Sequence, residues 1–442
     1  MKPFPMHRHS RAQELSNVDN GIPTFYGLPP KVEYCTVCVL SNQRPASAVE
    51  FCHDKNTKKE TVTLDENGVC DGCRIHRIKH EKIDWDQRDA ELRELCDRYR
   101  SKTGKYDCLV PGSGGKDSIY AAYLLKYKFG MHPLTVTWAP HIYTPWGWDN
   151  LQSWIHSGFD NYLFTPNGLV HRLLTRISLE TIFHPFQPFI IGQKLFAPRL
   201  AADLGIPLVF WGEPEAEDGN PIAEYGGSEQ DWKYFTSEER DSISLSGVSL
   251  GELKQNFGLT EKDLDPYLPV NPEQLKDTGI VVHYMGYYVR WHPQSNYYYA
   301  TEHTSFKPAP ERTVGSYGKY SGIDDKMDDF HFYTTYVKFG IGRATYDAAQ
   351  ECRNEDITKD EAVDLVKKYD GEFPERFAKE CFQYLSIPEN EFSVASRMFE
   401  SPTVSRSYFD MLTDHFRSPH LWKKEENKWK LRHAVWMNHK AI

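Results

Sequence analysis

Around residue 112 the sequence changes its period, and this change constrains the fold more than any other feature. Residues 106–111 are a short apolar run of strand type. Gly112-Ser113-Gly114-Gly115 interrupts it, and residues 118–129 then place Ile119, Ala122, Leu124 and Leu125 at helical spacing. A strand feeding through glycines into a helix is the repeating unit of a parallel α/β sheet. Further units follow. Residues 133–138, 161–164 and 206–211 read as strands, and 150–157, 169–182 and 193–204 read as helices. Residues 84–99 read as an exposed amphipathic helix placed before the first strand. The expected class is α/β, a parallel sheet with helices on both faces.

Within the turn lies Ser113-Gly114-Gly115-Lys116-Asp117-Ser118. A helix N-terminus presents unsatisfied N–H groups and a positive dipole end to an anion. Glycines let backbone approach phosphate closely. Two hydroxyls can donate, Lys116 can lie against phosphate, and Asp117 can hold Mg²⁺. The spacing is neither Walker A nor the dinucleotide fingerprint. After the last of these strands comes Gly212-Glu213-Pro214-Glu215. Carboxylates at a strand's C-terminal end suit Mg²⁺–pyrophosphate or substrate binding, or form a solvated acidic loop.

Five of nine cysteines fall between residues 35 and 73. Cys35, Cys38, Cys70 and Cys73 form two CxxC pairs, the pattern of a closed structural zinc site. The 31 residues between the pairs exceed the usual ribbon spacing of about 15–20. The extra length, at 45–61, carries Cys52 and His53, and Cys52 is either a bystander or an alternative ligand. A redox dithiol or an iron–sulfur cluster is the other reading of the four. The first nine residues lack an apolar segment, so a reducing, cytoplasmic location is expected.

The chain has 442 residues with 52 Lys+Arg and 62 Asp+Glu, a net charge of −10. That balance argues against non-specific nucleic-acid binding. No stretch approaches 18 consecutive apolar residues, so no membrane span is expected. Four parts are expected: an N-terminal arm at 1–32, loose unless the segment 25–30 packs on the body; a zinc module at 33–80; a phosphate-loop domain at 81–225; and a substrate-binding, mainly helical region at 226–442. Residues 280–291 read as one long strand. Residues 359–442 read as helical, with Trp422, Trp429 and Trp436 on one helix face.

The six-residue loop resembles the PP-loop of the N-type ATP pyrophosphatases. With the two CxxC pairs, Thr137-Trp138-Ala139-Pro140-His141, Asp324-Asp325-Lys326-Met327-Asp328-Asp329 and Lys338-Phe339-Gly340, it resembles the N-acetyl sugar amidotransferase family over roughly residues 33–390. The resemblance implies conversion of an acetamido group on an acidic sugar to an acetamidino group. The sugar would be a nucleotide-linked diacetamido uronic acid or a sialic-like acid of bacterial surface polysaccharide or flagellin glycans. ATP would adenylate the amide oxygen, and ammonia from a separate glutaminase would displace AMP. It further implies ATP held by Ser113–Ser118, Trp138, Gly212 and Glu213, with Mg²⁺ as cofactor. Lys116, Asp117 and Arg343 would serve catalysis. Arg343, His292, Tyr297, His303, Lys319 and Lys326 are candidates to hold the sugar, Arg343 foremost because guanidinium binds carboxylate bidentately. Two rivals share the loop: a tRNA-thiolating enzyme, disfavoured by the acidic balance, and a non-catalytic nucleotide-binding subunit, disfavoured by the intact Lys116-Asp117.

Overall fold

The computed structural model describes residues 10–46, 49–212 and 227–437. The expected strands form. β1 (Cys108–Pro111), β2 (Pro133–Trp138), β3 (Asn161–Phe164) and β4 (Leu208–Trp211) lie parallel in one sheet. Short strands β5 (Ser244–Leu245) and β6 (Val248–Ser249) make a separate ribbon, and β7 (Val281–Tyr284) completes the main sheet in the order β3-β2-β1-β4-β7. The molecule is mixed α/β with a five-stranded parallel sheet.

Side chains alternate between two cores, as strand geometry requires. Leu109, Val136 and Val209 face one core, shared with helices Gly168–Ile182 and Gln187–Leu204. Cys108, Val110, Leu208 and Phe210 face the other, with helices Trp85–Tyr99, Lys116–Tyr123 and Pro145–His156. Helices therefore cover both faces, which is why β1 and β2 are buried along their whole length. The strand order reverses between β1 and β4, leaving a crevice at their C-terminal ends.

Three expectations change. The run 280–291 is not one strand. It pairs only as far as Trp211 opposite Tyr284, the last residue of β4, and then turns through helix Met285–Tyr288. A strand extends no further than its ladder partner, and the Gly286 N–H instead caps the Gly212 carbonyl at 2.9 Å. The sheet thereby takes its fifth strand from well beyond residue 225. The tryptophans do not share a helix face. Trp422 and Trp429 sit in a hairpin of β8 (Trp422–Glu425) and β9 (Lys428–Leu431), and Trp436 sits in the turn Val435–Met437. Glu426 and Asn427 both have positive φ (50° and 60°), the two-residue turn that suits a hairpin's twist. Arg417 packs between the two indoles, 4.4 and 4.9 Å from their rings.

The described part of the N-terminal arm docks on this C-terminal region. Tyr26 donates to the Phe416 carbonyl at 2.7 Å and its ring meets Phe339, while Leu28 is buried. Segment 25–30 thus packs on the body.

Candidate functional site

The crevice holds the glycine loop. Gly115 caps helix Lys116–Tyr123 with no side-chain hydrogen bond, so the first-turn N–H groups remain open to an anion. Gly114 has φ +81°, and a Cβ there would sit 2.7 Å from Leu151 Cα and 2.8 Å from the Asn150 carbonyl. Both contacts are backbone, so only glycine fits. Ser118 turns back to donate to the Gly115 carbonyl at 3.0 Å. The loop, Gly212 and Asp324 border a cleft of about 270 Å³. Burial raises the Asp324 carboxyl above its ordinary value, against a hydrogen bond from Ser113.

Lys116 is buried and ion-paired to Asp117. Asp117 also accepts a 3.0 Å hydrogen bond from Asn296, a contact the sequence did not suggest. Lys116, Asp117 and Ser321 border a second, larger cavity of about 440 Å³ as well as the cleft. That cavity is strongly charged. Arg44, Lys59, Lys116, Lys338 and Arg353 face Glu50, Asp117 and Asp347 across it, with His53, His184 and His331 between. Burial pushes the Glu50 carboxyl up, but Lys59, His53 and His184 outweigh it and hold it well below the usual carboxylate range. Burial lowers all three histidines, His331 to about 4, and lowers Lys338 to about 7.

The four cysteines converge. Their sulfurs lie within 4.8 Å of one another. Cys35–Cys73 and Cys38–Cys70 are 3.8 and 3.7 Å apart. A tetrahedron with Zn–S bonds of about 2.3 Å has edges of about 3.8 Å, whereas a disulfide requires about 2.05 Å. Backbone N–H groups of Val37, Leu40 and Cys70 point at the sulfurs at 3.3–3.5 Å, the hydrogen bonds that thiolate ligands accept. The cluster can hold a metal such as zinc. Cys52 is exposed and stands outside it. Lys359 bonds the Cys35 and Thr36 carbonyls, docking the module on the C-terminal helices.

Several expected site residues lie elsewhere. Trp138 is 4 % exposed and packs into the core against Phe164 and Tyr267, with no place on either cavity wall. Arg343 is not an open receptor. Its guanidinium is buried, bonds Asp328 at 2.6 Å and the Ser321 carbonyl at 2.7 Å, and stacks over Phe332. It fixes the Ser321 backbone at the junction of the two cavities. His292, Tyr297, His303, Lys319 and Lys326 border neither cavity. Glu213 and the acidic segment after it lie outside the described residues.

Residues 311–435 match the family model for "LPS biosynthesis protein WbpG-like, C-terminal domain". The match covers the C-terminal part of the chain alone, so the likeness is to that family's C-terminal domain. An uncharacterized protein of Methanocaldococcus jannaschii is 30% identical over 102 residues, 23% of this chain and 31% of that protein. The chain thus spans about a third of the length of that curated relative. No helix among the described residues is long and apolar enough to cross a membrane.

Proposed function

We propose that the protein is an ATP-dependent amidotransferase acting on an acidic N-acetyl sugar in surface-polysaccharide biosynthesis. The observation that carries the reading is the placement of the Ser113–Ser118 loop. Its open helix N-terminus lies at the switch point of a parallel sheet, and the cleft before it adjoins a charged cavity of substrate size through Lys116 and Asp117. The WbpG-like match supports the pathway class.

In this reading the phosphates of ATP lie against the loop, and Asp117 with Asp324 are the carboxylates suited to Mg²⁺. The ion neutralises phosphate charge when bound. The acetamido oxygen attacks the α-phosphorus as the α–β bridging bond breaks, and pyrophosphate leaves. Ammonia, supplied by a partner glutaminase, adds to the activated carbon. AMP departs with the former amide oxygen and the amidine remains. The protein's role is orientation and charge stabilisation, and no side-chain nucleophile is needed.

Exchange of labelled pyrophosphate into ATP tests this. Exchange that requires an acidic acetamido sugar, with AMP accumulating once ammonium is added, is the expected result. Exchange that instead requires tRNA, or none with any sugar, sinks it.

A further inference from the structure

The larger cavity contains a cation with no ion-pair partner among the described residues. Arg44 is 6 % exposed, yet its Nε and Nη1 are buried and have no hydrogen-bond partner among the described residues. Among the described residues its side chain forms no ion pair, and the guanidinium lies over the Tyr346 ring, 5.4 Å from the centroid. Several other charges of the cavity have a partner. Lys116 pairs with Asp117, Asp347 lies 3.8 Å from Arg343, and Lys59 and Lys338 share the field of Glu50. Leaving a buried guanidinium unpaired is costly, because a buried polar group without a partner loses its hydration and gains nothing. Such a group is retained where a ligand supplies the missing acceptor.

We propose that Arg44 is the carboxylate receptor of the acceptor-sugar site, taking the acid group bidentately while the acetamido group lies toward Lys116. This rests on the adenylation reading for the identity of the acceptor, though not for the anion site itself. The planar fork of guanidinium fits a carboxylate. The same wall offers Phe332, Tyr346 and Ile190 as apolar surface for a sugar ring. At about 440 Å³ the cavity falls in the range of small-molecule sites. Arg44 lies within the metal module, six residues after Cys38: Leu40, which also lines the cavity, donates its N–H to the Cys38 sulfur. The metal site thus sets the position of the receptor.

Calorimetric titration of the full, metal-loaded chain tests the assignment with three probes: N-acetylneuraminate, its methyl ester, and UDP-N-acetylglucosamine. The acid is expected to bind. Esterification, which removes only the charge, and Arg44→Met are each expected to weaken binding on the order of 30-fold or more, and Arg44→Lys by less. The ester comparison uses the wild-type protein, so it stands even where Arg44→Met misfolds. Equal binding of acid and ester overturns the proposal. So does unchanged affinity in a folded Arg44→Met, Arg44-dependent binding of the nucleotide sugar alone, or no binding of any probe. Pyrophosphate exchange separates the two readings. Sugar-dependent exchange with an unaltered KM in Arg44→Met defeats the receptor and spares adenylation. Arg44-dependent binding without exchange does the reverse.

Discussion

The two cavities meet at Lys116 and Asp117 but are built in opposite ways. The largest contiguous part of the cleft is one stretch, residues 110–118, whose geometry is set by backbone. The larger cavity draws on residues 40–59, 183–190 and 331–353, and its character is set by side-chain charge. A site made of backbone tolerates no substitution that adds volume. A site made of scattered charges loses affinity in increments. The difference predicts how each can be broken.

The largest effect is expected at Gly114. A side chain there collides with the backbone at Asn150 and Leu151, and the positive φ adds strain of about 1–3 kcal/mol. Gly114→Val should reduce pyrophosphate exchange by at least roughly 100-fold, in line with the loss of preorganised anion donors. Metal content should stay at wild-type level, because the cysteine module contacts other elements. Exchange within threefold of wild type would show that the loop is not the phosphate site.

Next in size is removal of the metal. Without it, the small core around Val39, Val62 and Val69 has four buried thiols in place of a ligated ion. Leu40 and Arg44 should then lose their positions. Chelation is expected to weaken binding of an acidic sugar about tenfold or more, equivalent to about 1.4 kcal/mol, and to open residues 35–80 to protease. Nucleotide binding at the glycine loop should change much less. Equal loss at both sites would mean that the two cavities are one cooperative unit.

This contrast also explains what could be read in advance. The sheet, the glycine loop and the four cysteines were legible because each is a local pattern: a period of two, a strand–turn–helix, a CxxC pair. The charged cavity was not, because Glu50, His184 and Lys338 come from three separate segments, and nothing in their local sequence distinguishes them. Arg343 misled for a related reason. Small flanking residues suggested open access, but that space is filled by the Ser321–Gly322 turn and the Asp328 carboxylate, which only the tertiary fold supplies. The C-terminal hairpin was masked by a seven-residue tryptophan spacing. The positive φ at Glu426 and Asn427 reverses the chain within that spacing. Glu-Asn is a weaker turn signal than Asn-Gly.

A third prediction concerns Lys338, whose ammonium donates to the Ile182 carbonyl at 2.8 Å. Burial lowers it to about 7, below its ordinary 10.5. Between those values the unfolded chain binds the extra proton, so stability should rise as pH increases from 7 to 10.5, and the cost is full below 7. Lys338→Met should flatten that rise and, at pH 6.5, leave the chain at least as stable as wild type. Urea midpoints at pH 6.5 and 9.5 measure both. A wild-type midpoint that falls across this window after correction for the Met variant would contradict the assignment.

The smallest effect is expected at Cys52, and it bears on the cysteines alone. Cys52 lies between Glu50 and His53, both facing the larger cavity, yet its own side chain is exposed and outside the sulfur cluster. Exposed positions free of caps, networks and strain usually respond within about 0.5 kcal/mol. Cys52→Ser should therefore preserve one metal per chain, the melting temperature and sugar binding. Cys70→Ser removes one corner of the tetrahedron and the sulfur that accepts from the Cys73 N–H, and should reproduce the metal-free state. Metal loss in Cys52→Ser at wild-type stability would instead place Cys52 among the ligands, and would mean that the ion is held by a set of sulfurs different from the four that converge.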